Sequence, residues 1–135
     1  MLLDHLILRV NDADESARFF TEVLGLVCEG KAGPFTIVRV TPNLTIQLAP
    51  WGTSGGEHLA FAMSGEEFEA VFGRVRAAGI AFGDSFSSVG NMRGPGLESG
   101  ARGPGASLYF FDPSRHLVEI RHYESAAGST PGPPA

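Results

Sequence analysis

Residues 58–63, HLAFAM, decide the fold, because they repeat the pattern of residues 5–10, HLILRV. In both stretches a histidine opens a run of alternating residues, which is typical of a strand. Each run leads into apolar positions at helical spacing that end at a glycine, Gly25 in the first stretch and Gly79 in the second. The glycine follows its histidine by 20 residues in the first case and by 21 in the second. This match predicts an internal repeat of one strand and one helix.

The first copy of the repeat continues into further strands. Three short apolar runs, bounded by Gly, Pro and Asn, indicate an antiparallel meander at about 26–31, 35–41 and 44–49. Asn11 or Asp12 is placed to cap the first helix, and Ser64 is placed to cap the second. The sequence therefore predicts an α+β fold of two βαβββ modules.

The predicted domain covers residues 1–123, with modules at about 1–50 and 56–123. The second module is longer because residues 84–106, rich in Gly and Ser, predict a long loop. This loop is either a lid over a functional site or a mobile surface loop. The tail, residues 124–135, has almost nothing apolar to bury, so we expect it to be disordered. The predicted core consists of Leu6, Leu8, Phe20, Leu24, Ile46, Leu59, Phe61, Phe72, Val75, Phe110, Val118 and Ile120.

Composition excludes several classes of function. The chain has 135 residues and a formal net charge of −5, which argues against binding to nucleic acid. Charged residues interrupt the apolar start, MLLDHLILRV, so we expect neither a signal peptide nor a membrane span. The single cysteine, Cys28, cannot form an internal disulfide, which fits a reducing compartment. We therefore expect a cytoplasmic protein that binds neither nucleic acid nor membrane.

Four polar residues lie at matched positions of the repeat. His5, His58, Gln47 and Glu119 each fall on the strand face opposite the aliphatic residues. The aliphatic faces are predicted to pack on the helices, so the other faces would line a shared concave cleft. Two imidazoles and a carboxylate predict a divalent metal site there, with the Gln47 oxygen as a possible fourth ligand. Nickel, cobalt, manganese, iron and zinc all accept such ligands.

Each of these residues also has a structural interpretation. A histidine in a strand is often a hydrogen-bonded structural residue, and Glu119 can pair with Arg121 or Arg9 across the face. A buried carboxylate is costly unless it is paired or bound to a metal. The turn at Asp112-Pro113 predicts that the neighbouring His116 is exposed.

The residues together resemble the vicinal oxygen chelate superfamily, which includes lactoylglutathione lyase, fosfomycin-resistance proteins, bleomycin-binding proteins and extradiol dioxygenases. The resemblance covers about residues 2–123, through the segments LDHLILRV, ARFFTEVLGL, TIQLAPWG, HLAFAM and YFFDPSRHLVEI. It implies paired βαβββ modules, often assembled as a homodimer. It also implies metal ligands at His5, His58 and Glu119, with the fourth position at Gln47.

The resemblance to individual branches is mixed. Glyoxalases carry a glutamate that acts as ligand and base where this chain has Gln47, and an amide cannot take that proton. Arg9 matches an arginine that contacts glutathione, which implies an anionic substrate unless Arg9 is simply a partner for Glu119. Extradiol dioxygenases share the approach to the last ligand, in which Tyr109 is either a hydrogen-bond donor to substrate or a packing residue. Ile7 replaces a threonine that contacts the antibiotic in fosfomycin-resistance enzymes.

We therefore expect a small glyoxalase-like metalloenzyme, of lyase, isomerase or dioxygenase type, that chelates two neighbouring oxygens of a substrate. The candidate catalytic residues are Tyr109 and Arg9. A ligand- or antibiotic-sequestering protein without turnover is the alternative. We also expect a homodimer.

Overall fold

The computed structural model describes residues 1–123, and the predicted disordered tail, residues 124–135, lies outside the described residues. The chain divides into two compact units. The first unit contains Met1–Gly55 together with Asp112–Arg115, and the second contains Gly56–Phe111 together with the described residues after Arg115. None of the helices within residues 1–123 is long and apolar enough to cross a membrane.

The first unit is a four-stranded sheet with one helix. Its elements are β1 (His5–Arg9), α1 (Ala13–Glu22), β2 (Val27–Ala32), β3 (Phe35–Thr41) and β4 (Leu44–Ala49). The strands lie in the order β1-β4-β3-β2, with β1 parallel to β4 and the other pairs antiparallel. The helix begins after Asp12, whose side chain accepts a 3.0 Å hydrogen bond from the backbone N–H of Glu15. Asp12 is therefore the cap, rather than Asn11.

The second unit repeats this order with one strand added. Its elements are β5 (His58–Ala62), α2 (Gly65–Ala77), β6 (Phe82–Gly83), β7 (Gly96–Gly100), β8 (Gly103–Phe111) and β9 (Leu117–Tyr123). The main path is β5-β9-β8-β6, and β7 also pairs with β8. Ser64 caps α2 by accepting a 3.1 Å hydrogen bond from the backbone N–H of Glu67, as predicted.

The register of the two sheets confirms the repeat. In the parallel pair of the first unit, Ile7 lies opposite Gln47; in that of the second unit, Ala60 lies opposite Glu119. Each of these pairs stands two residues after the histidine that opens the module. Gln47 and Glu119 therefore occupy equivalent positions of one α+β pattern, which is the fold class that the sequence predicts.

The prediction of one long loop over residues 84–106 is wrong in its second half. Strands β7 and β8 form a hairpin there, in which Gly100 lies opposite Gly103. The irregular part is limited to residues 84–95. It connects β6 and β7, which pair with successive stretches of β8, while β9 pairs along the other edge of β8. The Asn91 amide donates to the Asp84 carboxylate at 2.8 Å, which holds this loop together near its base. The lid stays a prediction for residues 84–95.

The predicted core is buried with three exceptions. Leu6, Leu59 and Phe61 are only half-buried, since they lie on β1 and β5, the edge strands of their sheets. The prediction that His116 is exposed is also wrong. This side chain is 1% exposed, and its Nδ1 accepts a 3.2 Å hydrogen bond from the backbone N–H of Glu57. The imidazole is buried because it provides an acceptor for an N–H at the start of β5.

Candidate metal centre

One face of the second sheet carries a cluster of polar side chains. Paired residues of neighbouring strands point to the same face, and alternate residues along one strand do so too. The pairings of β9 with β5 and β8 therefore gather five polar side chains on the face turned away from α2: His58, Ser107, Tyr109, Glu119 and Arg121. The opposite face packs on the helix, where the rings of Phe68 and His122 lie 4.9 Å apart.

Glu119 is at the centre of this cluster, and its two oxygens have different surroundings. The side chain is only 6% exposed. Oε2 accepts hydrogen bonds from Arg121 Nη1 at 2.5 Å and from the Ser107 hydroxyl at 3.2 Å. Oε1 lies 3.0 Å from Nε2 of His58, whose side chain is half exposed. The pairing with Arg121 that the sequence allowed is therefore present, but it occupies only one oxygen of the carboxylate.

Arg121 is buried beside Glu119 in a tightly fitted position. Its side chain is 7% exposed, and Nη2 donates to the backbone carbonyl of Glu98 at 3.1 Å. Its guanidinium lies over the Tyr123 ring, 4.8 Å from the ring centroid. A Cβ added to Gly100 would lie 2.5 Å from the guanidinium carbon and 2.6 Å from the Tyr123 hydroxyl, so a side chain there would displace one or both of these groups.

Tyr109 is buried on the same face, and its hydroxyl donates a hydrogen bond to the carboxylate of Glu98. Burial raises the pKa of Tyr109 well above its ordinary value, and the carboxylates of Glu98 and Glu119 act in the same direction. Tyr109 is therefore protonated at neutral pH and serves as a hydrogen-bond donor. Glu98 was not among the predicted site residues, since it lies in the segment read as a loop.

The first unit contributes a second set of predicted residues on one face of its sheet. His5 is exposed, and its Nδ1 lies 2.8 Å from the Asp4 carboxylate. A carboxylate beside one ring nitrogen favours the proton there, which leaves Nε2 available to a metal. Gln47 is half-buried between Ile7 of β1 and Ile37 of β3.

Arg9 lies at the end of β1 and contacts the chain that follows β4. It donates to the carbonyl oxygens of Gly52 and Trp51, at 3.2 and 3.4 Å. Its guanidinium also lies 5.5 Å from the centroid of the Trp51 ring. These contacts hold the arginine beside the only tryptophan of the chain.

The donor set fits a metal in the second unit. His58 Nε2 and Glu119 Oε1 are separated by 3.0 Å. Two ligand atoms bound at about 2.0–2.2 Å and at right angles around one ion lie about 3 Å apart. Within residues 1–123 no three or more His, Cys, Asp or Glu side chains are grouped closely enough to hold a metal ion. The structure thus brings together His58 and Glu119 in one unit, and places His5 and Gln47 on one sheet face of the other.

Comparison with known proteins identifies the family. A model of the Glyoxalase/Bleomycin resistance protein/Dioxygenase superfamily matches residues 2–120. The chain belongs to this superfamily. The match confirms the resemblance on which the sequence analysis relied.

Proteins similar to this chain differ in the functions that their names state. Glutathione transferase FosA of Serratia marcescens is 29% identical over 125 residues, which cover 87% of this chain and 78% of the relative. Virulence protein STM3117 of Salmonella typhimurium is 31% identical over 132 residues, covering 90% and 83% of the two chains. The solved structure of oxidase ChaP-H1 matches with a TM-score of 0.77 and 28% identity, over 93% of this chain and 97% of that one. The superfamily match therefore leaves the reaction open.

Proposed function

We propose that this superfamily member is a metal-dependent enzyme for a small substrate that presents two neighbouring oxygens. The observation that carries the proposal is the buried Glu119, whose Oε1 lies 3.0 Å from His58 Nε2 while its other oxygen is held by protein donors. His5 and Gln47 would complete the ligand set, from the same chain or from a second copy. Superfamily members typically bind a divalent ion, which supports this assignment. Nickel, cobalt, manganese, iron or zinc would suit these donors.

The remaining polar residues have separate roles in the proposal. When bound, the ion would polarise the substrate oxygens and stabilise the negative charge that develops on them. Tyr109 stays protonated, and its hydroxyl would turn from the Glu98 carboxylate to donate a hydrogen bond to a substrate oxygen. Arg9 would favour an anionic group on the substrate. Gln47 cannot serve as a base, so any proton abstraction must use another group.

The names of the relatives suggest which reactions to assay first. A glutathione transferase and an oxidase are both among them, so glutathione addition and metal-dependent oxidation are two reaction types to test. A lyase or isomerase acting on a glutathione adduct is a third. Turnover that stops with a chelator and returns with a divalent ion would support an enzyme of this kind.

Metal content separates the enzyme from a sequestering protein. Protein purified without chelators should contain about one ion per chain, since one ligand set is proposed for each chain. The double variant His5→Ala His58→Ala should lose the ion. A matched control is His122→Gln, because His122 lies on the opposite face of the second sheet against Phe68. Metal-free wild-type protein from metal-replete medium would contradict the proposal. It would favour the alternative, a sequestering protein without turnover.

A further inference from the structure

We propose that Arg121 is a positioning residue that keeps Glu119 a one-oxygen ligand, so that the bound metal keeps an extra coordination position for substrate. This inference rests on the proposed function. It concerns how Glu119 binds the ion, which neither the superfamily match nor the ligand assignment specifies.

The contacts of Glu119 divide its carboxylate into a held oxygen and an available one. Oε2 accepts from both Arg121 Nη1 and the Ser107 hydroxyl, so two donors compete with any metal for its lone pairs. Hydrogen bonds between a guanidinium and a carboxylate are among the strongest in proteins. Oε1 faces His58 instead. A metal bound by His58 therefore meets Oε1 alone.

The surroundings of Arg121 hold the guanidinium beside Glu119. Nη2 is held by the Glu98 carbonyl, and the Tyr123 ring covers the guanidinium. The hairpin of β7 and β8 brings Gly100 so close that a side chain there would collide with the arginine. The guanidinium is thus held by contacts with two strands of the second unit, β7 and β9.

Stability alone does not account for this arrangement. Nε of Arg121 is buried and has no hydrogen-bond partner among the described residues. A buried donor without an acceptor is costly, and buried ion pairs are often replaceable by apolar residues at no loss of stability. The arginine is therefore better explained by what it does to the position of Glu119.

The consequence for function lies in the number of open coordination positions. A carboxylate can bind an ion through one oxygen or through both. A substrate that chelates through two oxygens needs two positions, in addition to those taken by the histidines and Glu119. With Oε2 held by Arg121 and Ser107, Glu119 takes one position rather than two, and the position released is open to water or substrate.

The test counts water molecules on bound Mn²⁺, which serves as the probe. Line broadening of the Mn²⁺ resonance in ¹⁷O-labelled water gives the number of metal-bound waters. Arg121→Gln should hold about one water fewer than wild type, because Oε2 loses its charged donor and keeps only the Ser107 hydroxyl, so Glu119 can bind the ion through both oxygens. Arg102→Gln is the matched control, because the Arg102 guanidinium also lies over the Tyr123 ring, 4.6 Å from its centroid. The side-chain donors to Glu119 Oε2 are Ser107 and Arg121, so this variant leaves both in place. It should keep the wild-type number.

A second variant keeps the inference testable if Arg121→Gln fails to fold. Gly100→Ala leaves both Arg121 and Glu119 in the chain but displaces the guanidinium, so it should lose the same water. Wild-type protein that binds Mn²⁺ with the same number of waters as the folded variants would overturn the inference and leave the proposed function intact. Wild-type protein that binds none of Mn²⁺, Fe²⁺, Co²⁺, Ni²⁺ and Zn²⁺ would overturn both.

Discussion

Single residues show why burial and chemistry must be considered together. The sequence left Glu119 as either a metal ligand or an ion-pair partner, and the structure makes these roles compatible, because each uses a different oxygen. His116 is the opposite case, since its position after a turn predicted exposure. The imidazole is buried instead, and its Nδ1 accepts a hydrogen bond from the backbone N–H of Glu57, a long-range contact that the local turn pattern does not predict.

We predict that the hydrogen bond between the Glu57 N–H and His116 Nδ1 stabilises the folded state. His116→Leu should destabilise the protein by about 1–3 kcal/mol, because the Glu57 N–H is left without its acceptor. Urea unfolding measures the loss, and hydrogen exchange of the Glu57 amide identifies its cause. The exchange should accelerate in His116→Leu and stay slow in His116→Asn, whose side-chain oxygen can replace Nδ1. Unchanged protection of Glu57 in His116→Leu would refute this role.

Tyr109 should make stability depend on pH at the alkaline end. The folded state raises the pKa of Tyr109, so it holds the proton more tightly than the unfolded chain does. The stabilisation is complete below the unfolded pKa of about 10 and is lost as pH rises through the folded value. Thermal unfolding from neutral to alkaline pH should show this decline in wild type and a smaller one in Tyr109→Phe. Parallel pH curves for the two proteins would argue against the shift.

At the level of elements, the β7–β8 hairpin shows that composition alone does not distinguish a glycine-rich strand from a loop. Glycines at 96, 100, 103 and 105 predict a loop, yet all four lie in paired strands. Glycine also occurs where two parts of the chain approach closely, and Gly100 is such a position because it faces Arg121. The sequence did show that the modules differ in length: His5 precedes Gln47 by 42 residues, whereas His58 precedes Glu119 by 61. That excess left room for an added strand.

Two glycines in the second unit should respond to alanine in opposite ways. An added Cβ at Gly83 would lie 2.1 Å from the Ser88 carbonyl oxygen, whereas one at Gly73, within α2, would meet nothing within 4 Å. Gly83→Ala should lower the free energy of unfolding by about 1–3 kcal/mol through overpacking. Gly73→Ala should raise it by about 0.5–1 kcal/mol, because alanine favours the helix. A stable Gly83→Ala protein would mean that the loop at residues 84–95 is not packed against β6.

At the scale of the whole molecule, the repeat explains what the sequence could predict. The spacing of histidine and glycine, 20 residues in one module and 21 in the other, indicated the repeat, and alternation along the strands placed Gln47 and Glu119 on matching faces. The register bears this out. The partners of Glu119 were only partly predictable. Arg121 lies two residues along the same strand, so alternation places it on the same face, but Ser107 and Glu98 depend on long-range pairing that a single sequence does not fix.

We predict that the protein is a homodimer, as the family resemblance implies. Sedimentation equilibrium at micromolar concentrations should give twice the chain mass of 14.3 kDa. The mass should be the same for the metal-ligand variants if the dimer contact does not depend on the ion. A monomer over the whole concentration range would contradict the prediction and restrict the ligand set to one chain.

Thermal unfolding with and without a divalent ion tests the central claim, that Glu119 and His58 bind a metal, most directly. Glu119→Gln keeps the size of the side chain but removes the charge that a dication needs. An ion at 100 times its dissociation constant stabilises the folded state by about 2.7 kcal/mol, so it should raise the melting temperature of wild type clearly and that of Glu119→Gln hardly at all. Equal increases in the two proteins would show that Glu119 is not a ligand.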